Sequence, residues 1–299
     1  MGYQLEKGKN IEDAVHSVAE EQVIKAIDEL RDLALDPHPT VHQVRKRCKK
    51  LRGLIRLIRP TFDAYRQENV FLRDAARELS SIRDAQSIIE SVDSLQTYYA
   101  GQVDERVFHK VRQELIARRQ RITDDQEDMD QRLEIFLGKM HKLEHRIEEW
   151  QVNEEGYAAV ADGLRKTFRR GRKYFSRAYL SPSTERFHEW RKLVKYHWYH
   201  LRLLHGIWPE MLTVQEETAD KLADALGDDH DLDVLLTTVL TTPDAFGDDR
   251  QRQVLYGLID RRRHSLRTDA RLLGTYLFAE KPGSQVRRFG TYWEMWQKQ

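Results

Sequence analysis

The sequence is poor in cysteine, in long apolar runs and in net charge. Cys48 is the only cysteine among 299 residues, which excludes an intramolecular disulfide and favours a reducing compartment. No run of about 18 apolar residues occurs, so we expect a cytoplasmic protein without a membrane span. The 50 lysines and arginines balance 49 acidic residues. Overall charge therefore indicates no partner, and any charge-based function must depend on how the charges are distributed.

Prolines and glycines are also few, 7 and 15 respectively, and most lie between segments whose apolar residues have helical spacing. The pattern predicts an all-α fold. The expected helices are Ile11–Leu35, Thr40–Ile58, Tyr65–Tyr99, Val103–Glu149, Tyr157–Tyr179, Ser183–Gly206, Leu212–Thr241, Asp248–Ala279 and Gln285–Trp296. We also expect turns at Ser80-Ser81 and at the two Asp-rich segments near Asp228 and Asp248.

The basic residues are concentrated in a pattern that occurs twice, 146 residues apart. The first stripe is His42, Arg45, Lys46, Lys49 and Arg56, and the second stripe is His188, Arg191, Lys192, Lys195 and Arg202. At about 100° per residue, each set lies on one face of a helix. A solvated helix face normally alternates acids with bases, yet Val41 to Pro60 contains eight lysines and arginines and no acid. Both stripes therefore indicate a surface that binds an anion.

The stripes belong to a longer internal repeat. Residues 79–85 follow the first stripe as residues 226–232 follow the second, at a displacement of 147. Asp84 and Asp231 correspond in this alignment, and we expect each to orient a basic side chain of its stripe. The predicted architecture is a single domain over residues 1–299, made of two antiparallel four-helix bundles over about residues 10–150 and 151–299 that are related by a pseudo-two-fold axis. Their basic faces would line one central channel.

Other residues extend this candidate surface. Another basic helix face precedes the second stripe and contains Arg165, Lys166, Arg169, Arg172 and Lys173. His42 and His188 begin their helices, where a neutral imidazole can donate a hydrogen bond to phosphate; packing at the helix start is the alternative. Tyr199 falls within the arc of the second stripe, so its hydroxyl is a further candidate contact.

These motifs resemble the CHAD domain family, the conserved histidine α-helical domains. The resemblance rests on the segments 41–60, 163–173, 187–196, 226–235 and 277–282. It implies a non-catalytic, cytoplasmic module that binds inorganic polyphosphate, with polyphosphate granules as a candidate location. The implied contacts, together with those argued above, are His42, Arg45, Lys46, Lys49, Arg52, Arg56, Arg165, Arg169, Arg172, Lys173, His188, Arg191, Lys192, Lys195, Tyr199 and Arg202. The E-x-E-x-K motif of the triphosphate-processing domains fused to some relatives is not in the sequence.

Two other functions remain open at this stage. The same cations would bind a sugar-phosphate backbone, so a nucleic-acid-binding protein is the first alternative. A metal-dependent phosphoanhydride hydrolase is the second, with Asp228, Asp229 and Asp231 holding Mg²⁺. The sequence offers no nucleophile or general base beside the stripes, so we predict no catalytic residue, no metal and no cofactor.

Overall fold

The computed structural model describes residues 2–32, 37–123 and 126–299, and every regular element in these ranges is a helix. The all-α prediction is confirmed. The eleven α-helices of the described residues are α1 (Ile11–Arg31), α2 (Pro37–Leu57), α3 (Tyr65–Glu78), α4 (Ser80–Tyr98), α5 (Arg106–Thr123), α6 (Gln126–Ile147), α7 (Ala158–Leu180), α8 (Thr184–Leu203), α9 (Pro209–Thr241), α10 (Asp249–Leu277) and α11 (Pro282–Lys298). None of the described helices is long and apolar enough to cross a membrane.

Most predicted helix boundaries agree with the structure to within a few residues. The predicted helix Tyr65–Tyr99 is interrupted at Leu79, one residue before the turn predicted at Ser80-Ser81, and both serines belong to the first turn of α4. The predicted helix Val103–Glu149 consists of α5 and α6, and residues 124 and 125 between them lie outside the described part. Leu35, the predicted end of the first helix, also lies outside it.

Of the two turns predicted at Asp-rich segments, the one near Asp228 is wrong and the one near Asp248 is confirmed. Asp228 lies inside α9, which continues without a break for 33 residues. The helix tolerates this acidic run because the Asp229 carboxylate accepts hydrogen bonds from Arg263 and Arg267 of α10. Asp248, in contrast, caps the N-terminus of α10 through a capping box with Gln251.

Equivalent helices have equivalent neighbours before and after residue 150. Helix α2 packs on α1, α3 and α4, as α8 packs on α7 and α9. Helix α4 packs on α5 as α9 packs on α10, and α6 contacts α1 as α11 contacts α7. The single helix α9 therefore takes the place of α3 and α4 together. The internal repeat extends to whole helices and is not restricted to the stripes.

The buried residues form two clusters, and neither is confined to one side of residue 150. The larger cluster joins α1, α2, α3, α6, α7, α8 and α11 with the first part of α9 and the end of α10. The smaller one joins α4 and α5 to α10 and the second part of α9, with Val92, Phe108, Leu235 and Ile259 among its members. The division of the chain near residue 150 thus describes the repeat, and the single domain over residues 1–299 stays a prediction.

The contact between α2 and α8 brings the two repeats together. At Gly53, an added Cβ atom would lie 2.8 Å from the Cβ atom of Tyr199, so only glycine permits this approach. The neutral His200 imidazole donates from Nε2 to the Gly53 carbonyl oxygen at 3.1 Å. The Tyr3 hydroxyl donates to the Lys50 carbonyl oxygen at 2.6 Å, which fastens the N-terminal segment to α2.

Candidate anion-binding surface

Helix α2 presents its cations because its opposite face is fully buried. Val44, Cys48, Leu51 and Ile55 are inaccessible to solvent, and they repeat with the spacing of an amphipathic helix. Burial raises the pKa of the Cys48 thiol to about 12, so this cysteine is a core residue without thiolate character. The apolar face fixes the rotation of α2 and directs the first stripe away from the core.

The two stripes meet at Lys49. Partial burial, followed by repulsion from Arg45, Arg191, Lys195 and Arg83, lowers the pKa of the Lys49 ammonium to about 8. Arg191 and Lys195 belong to the second stripe on α8, and Arg83 lies on α4. Lys49 nevertheless keeps an exposed side chain, and no carboxylate pairs with it in the part of the chain that the structure describes. The structure therefore assembles one group of cations from both repeats.

Arg45 and Arg191 lie in matching environments within this group. Asp84 attracts Arg45 and Asp231 attracts Arg191, which agrees with the orienting role expected for these two aspartates. The guanidinium of Arg191 lies over Gly227, where an added Cβ would come within 3.1 Å of Nη2. In each arginine, the buried Nε has no hydrogen-bond partner among the described residues. Buried donors without partners are uncommon, so both guanidinium groups are incompletely satisfied by the described residues.

The histidines that lead the stripes both favour the neutral form. Burial, followed by His230 and the nearby cations, lowers the pKa of His188 to about 4. The rings of His188 and His230 have centroids 4.1 Å apart. For His42, burial and then Arg83 lower the pKa. Arg83 corresponds to His230 at the displacement of 147, and sequence reasoning missed it because its residue type differs between the repeats.

Aromatic rings hold the cations at the two ends of the surface. Arg56 lies 4.2 Å from the ring centroid of Tyr196, and Arg202 lies 5.1 Å from that of Trp198. Asn69 Oδ1 accepts hydrogen bonds from Arg56 Nη2 at 3.0 Å and from Arg52 Nε at 3.3 Å. Because rings and an amide position these arginines, their charge is not neutralised by an acid.

The second stripe differs from the first in having acidic partners. Lys192 pairs with Glu189 at 2.6 Å. Lys195 lies 3.7 Å from an oxygen of Asp220 and 3.5 Å from one of Asp224, both on α9. No member of the first stripe has such an ion pair within the described ranges.

The residues of both stripes lie in a segment of the chain that matches a known protein family. The chain matches the family model of the CHAD domain over residues 17–240. The chain belongs to the CHAD domain family. Both stripes lie within the match, whereas α10 and α11 lie beyond its end. Among the curated proteins, no match to the chain is found.

The basic face of α7 is a less compact part of this CHAD domain. Gly163 lets α7 cross α2 closely, since an added Cβ would collide with the Leu57 carbonyl oxygen. Near this crossing, repulsion by Arg59 and partial burial lower the pKa of Lys166. Arg165 pairs with Asp162 at 2.8 Å. Arg169, Arg172 and Lys173 lie along α7, and in the described residues none of these three interacts with either stripe.

Tyr199 does not reach the surface. Its side chain is 4% exposed, and its ring packs edge-on against Tyr3 with centroids 5.8 Å apart. The prediction of a phosphate contact from this hydroxyl is corrected: the close approach of α2 and α8 at Gly53 buries the tyrosine between the helices.

The acidic run of α9 is divided between two environments. Asp229 is 1% exposed and is engaged by Arg263 and Arg267. Asp228 and Asp231 instead line a cavity of about 460 Å³ together with Arg83, Arg191 and Arg262. Burial raises the pKa of both of these cavity carboxyls. Among the described residues, no three His, Cys, Asp or Glu side chains are grouped so as to hold a metal ion.

Proposed function

We propose that this protein binds inorganic polyphosphate along the surface that the two stripes share, and that it does not cleave the chain. The observation that carries the proposal is the environment of Lys49, where cations of α2, α4 and α8 converge with no carboxylate on the lysine itself. Such a group is unfavourable in the empty protein. A ligand with closely spaced negative charges relieves the repulsion and accepts charge-assisted hydrogen bonds from these cations.

The proposed ligand path follows the cations of both helices. It begins at Arg52 and Arg56, passes Lys49 and Lys195, and continues to Arg202. The contacts support a pseudo-two-fold relation as part of the proposal. Arg56 lies against Tyr196. At the displacement of 146, Arg56 corresponds to Arg202 and Tyr196 corresponds to Lys50, and Arg202 is close enough to Lys50 to repel it. The proposed axis passes near Gly53 and Tyr199, and the stripes on either side of it form the proposed central channel.

The arrangement favours binding over hydrolysis. A hydrolase of the second alternative would use the acidic run of α9 to hold Mg²⁺. Asp229 is already committed to Arg263 and Arg267, and Asp233 is paired with Arg263 at 2.7 Å. The remaining cavity carboxyls, Asp228 and Asp231, have raised pKa values, which weakens cation binding. We therefore propose a non-catalytic role in the cytoplasm, with recruitment to polyphosphate granules as its use.

The geometry also favours a narrow polyanion over duplex nucleic acid. Glu189, Asp220 and Asp224 border the second stripe and would repel the second strand of a wide duplex. The Asn69 amide beside the stripes has its Oδ1 occupied by Arg52 and Arg56, so that acceptor is not presented for base readout. Tighter binding of a nucleic-acid backbone than of polyphosphate would instead support the first alternative.

The test is a competition titration at near-physiological salt. Long-chain polyphosphate should displace labelled single-stranded DNA from the protein, and neither single-stranded nor duplex DNA should displace labelled polyphosphate at equal phosphate concentration. The opposite order would overturn the proposal in favour of nucleic acid. The same samples, incubated with and without Mg²⁺, should release no orthophosphate, and steady release would overturn the non-catalytic assignment.

A further inference from the structure

The segment before α1 joins the two helices that carry the stripes. The Tyr3 hydroxyl donates to the Lys50 carbonyl oxygen of α2 at 2.6 Å. The Leu5 backbone N–H donates to the Leu203 carbonyl oxygen of α8 at 2.8 Å. The side chains of Tyr3 and Leu5 are both buried. The segment is therefore a fixed part of the fold, although it precedes residue 17, where the family match begins.

Tyr3 supplies an aromatic ring that the internal repeat lacks at one end of the surface. At the other end, the Arg56 guanidinium lies 4.2 Å from the centroid of the Tyr196 ring. The displacement of 146 relates Arg56 to Arg202 and Tyr196 to Lys50. Arg202 therefore has a lysine where its counterpart has a ring. The Tyr3 ring lies at this point, with its centroid 5.8 Å from the Arg202 guanidinium carbon and 5.2 Å from Lys50 Nζ.

Arg202 is held by aromatic rings and not by an acid. The centroid of the Trp198 ring, one turn earlier on α8, lies 5.1 Å from the guanidinium carbon. No carboxylate forms an ion pair with Arg202 in the part of the chain that the structure describes, and the side chain is half-buried. A guanidinium over a ring keeps its charge and its N–H donors. Arg202 is therefore ordered and still able to bind an anion.

We propose that Tyr3 is a positioning residue of the polyphosphate surface, whose ring holds the Arg202 guanidinium in place for the ligand. The ring is itself fixed between α2 and α8 by its hydrogen bond to Lys50 and by its edge-on contact with Tyr199, at 5.8 Å between centroids. A side chain that is ordered before the ligand arrives loses less entropy on binding. The effect on affinity rests on the proposed function, whereas the ordering of Arg202 does not.

The affinity of Tyr3 variants for long-chain polyphosphate, measured by isothermal titration calorimetry at near-physiological salt, tests the inference. Tyr3→Leu removes the ring and should weaken binding about threefold to fivefold, as expected for one partly exposed cation–π contact. Tyr3→Phe keeps the ring and should restore most of the affinity, although the lost hydroxyl lowers the melting temperature. Phe62→Leu removes a ring that packs on Trp150 in the same core, and as the control it should bind like the natural protein.

A double-mutant cycle separates positioning from a general loosening of the fold. In Arg202→Gln, Tyr3→Leu should cost little further affinity, because the cation that the ring orders is gone. In Arg56→Gln, which alters the counterpart in the first repeat, Tyr3→Leu should still have its full effect. Equal losses in both backgrounds would show that Tyr3 only stabilises the contact between α2 and α8, and would overturn the inference.

The order of the Arg202 side chain is measured without ligand, which distinguishes this inference from the proposed function. NMR relaxation of the Arg202 Nε–Hε group, assigned by its absence in Arg202→Gln, gives an order parameter that should fall in Tyr3→Leu and not in Phe62→Leu. A fall in a protein that binds no polyphosphate contradicts only the proposed function. Polyphosphate binding with an unchanged order parameter in Tyr3→Leu contradicts only the positioning role.

Discussion

Asp220 and Asp224 lie beside Lys195 on the second stripe, whereas the residues 147 positions earlier, on α3, are Arg73 and Arg77. The repeat thus keeps the cations that face the proposed ligand but reverses the sign of the charges next to them. In the second stripe, the protein's own carboxylates occupy part of the space that a phosphate would take. In the first stripe, that neutralisation has to come from a ligand. The comparison indicates that α2 contributes more of the binding free energy than α8.

The buried faces of α2 and α8 differ as well. His197 and His200 are fully buried, and at the displacement of 146 they correspond to Leu51 and Leu54 on α2. Both His197 nitrogens lack a hydrogen-bond partner among the described residues, and the ring packs on Phe168 with centroids 5.1 Å apart. Helix α8 therefore carries a pH-sensitive core where α2 has an apolar one.

The largest expected effect is on polyphosphate affinity. Arg45→Gln with Lys49→Gln should weaken binding about 10²-fold, because two charge-assisted contacts of about 1.5 kcal/mol each are lost. Arg191→Gln with Lys195→Gln should cost less, because Lys195 gives up Asp220 and Asp224 in order to meet a phosphate. Isothermal titration calorimetry measures the affinity of both double variants. Lys110→Gln with Arg250→Gln removes the same number of positive charges outside the stripes and serves as the control. Equal losses for the two pairs would contradict the proposed inequality of the stripes.

The contact at Gly53 should have the next largest effect. Gly53→Ala should destabilise the fold by about 1–3 kcal/mol, because the new methyl group overpacks the interface with Tyr199. Gly138→Ala on α6 has free space around the new Cβ and should instead stabilise by about 0.5–1 kcal/mol. Chemical denaturation measures both changes. A neutral Gly53→Ala would mean that α2 and α8 can separate there without cost.

Removal of the acidic partners should strengthen binding. Asp220→Asn with Asp224→Asn frees Lys195 and should raise polyphosphate affinity about threefold to tenfold, the range expected for one or two exposed ion pairs. Glu210→Gln with Asp244→Asn removes the same charge elsewhere and serves as the control. An affinity gain no larger than in the control would show that these acids do not compete with the ligand.

The smallest effect expected is on the pH dependence of stability. Burial lowers the pKa of His197 to about 3, so the unfolded chain binds a proton near pH 6.5 that the folded protein does not. The contribution of neutral His197 to the free energy of unfolding is fully present above pH 6.5 and is lost as the pH falls from 6.5 towards 3. His197→Leu, which copies Leu51 of α2, should reduce the stability loss between pH 8 and pH 6 by about 1 kcal/mol. An unchanged loss would contradict a neutral buried imidazole.

Sequence periodicity predicted the helices and the orientation of both stripes because these depend on local spacing. The contacts between distant segments were not predictable in this way. Tyr196 under Arg56, Arg83 beside Lys49, and the two arginines on Asp229 all come from other helices. Tyr199 was assigned to the surface because its angular position on α8 falls within the arc of the second stripe. Its burial depends on α2 and Tyr3, which pack against it and which helical spacing does not reveal. Gly53, small and inside a charged helix, was the available signal of a close helix crossing.

The Asp-rich segment of α9 shows the same limit. Four aspartates within six residues indicate a turn or a cation site by composition alone. In the structure, Arg263 and Arg267 of α10 keep Asp229 inside a continuous helix and remove it from any ligand set. The partner residues are more than 30 positions away along the chain, at 263 and 267, so no local pattern could reveal them.

The most direct test of a shared polyphosphate surface is the salt dependence of binding. Log affinity is measured against log salt for the natural protein, for each double glutamine variant and for the variant with all four substitutions. The account predicts a steep slope that becomes shallower in both double variants, by up to about one for each cation removed, and is shallowest in the fourfold variant. A natural slope retained in either double variant would contradict a single surface built from α2 and α8.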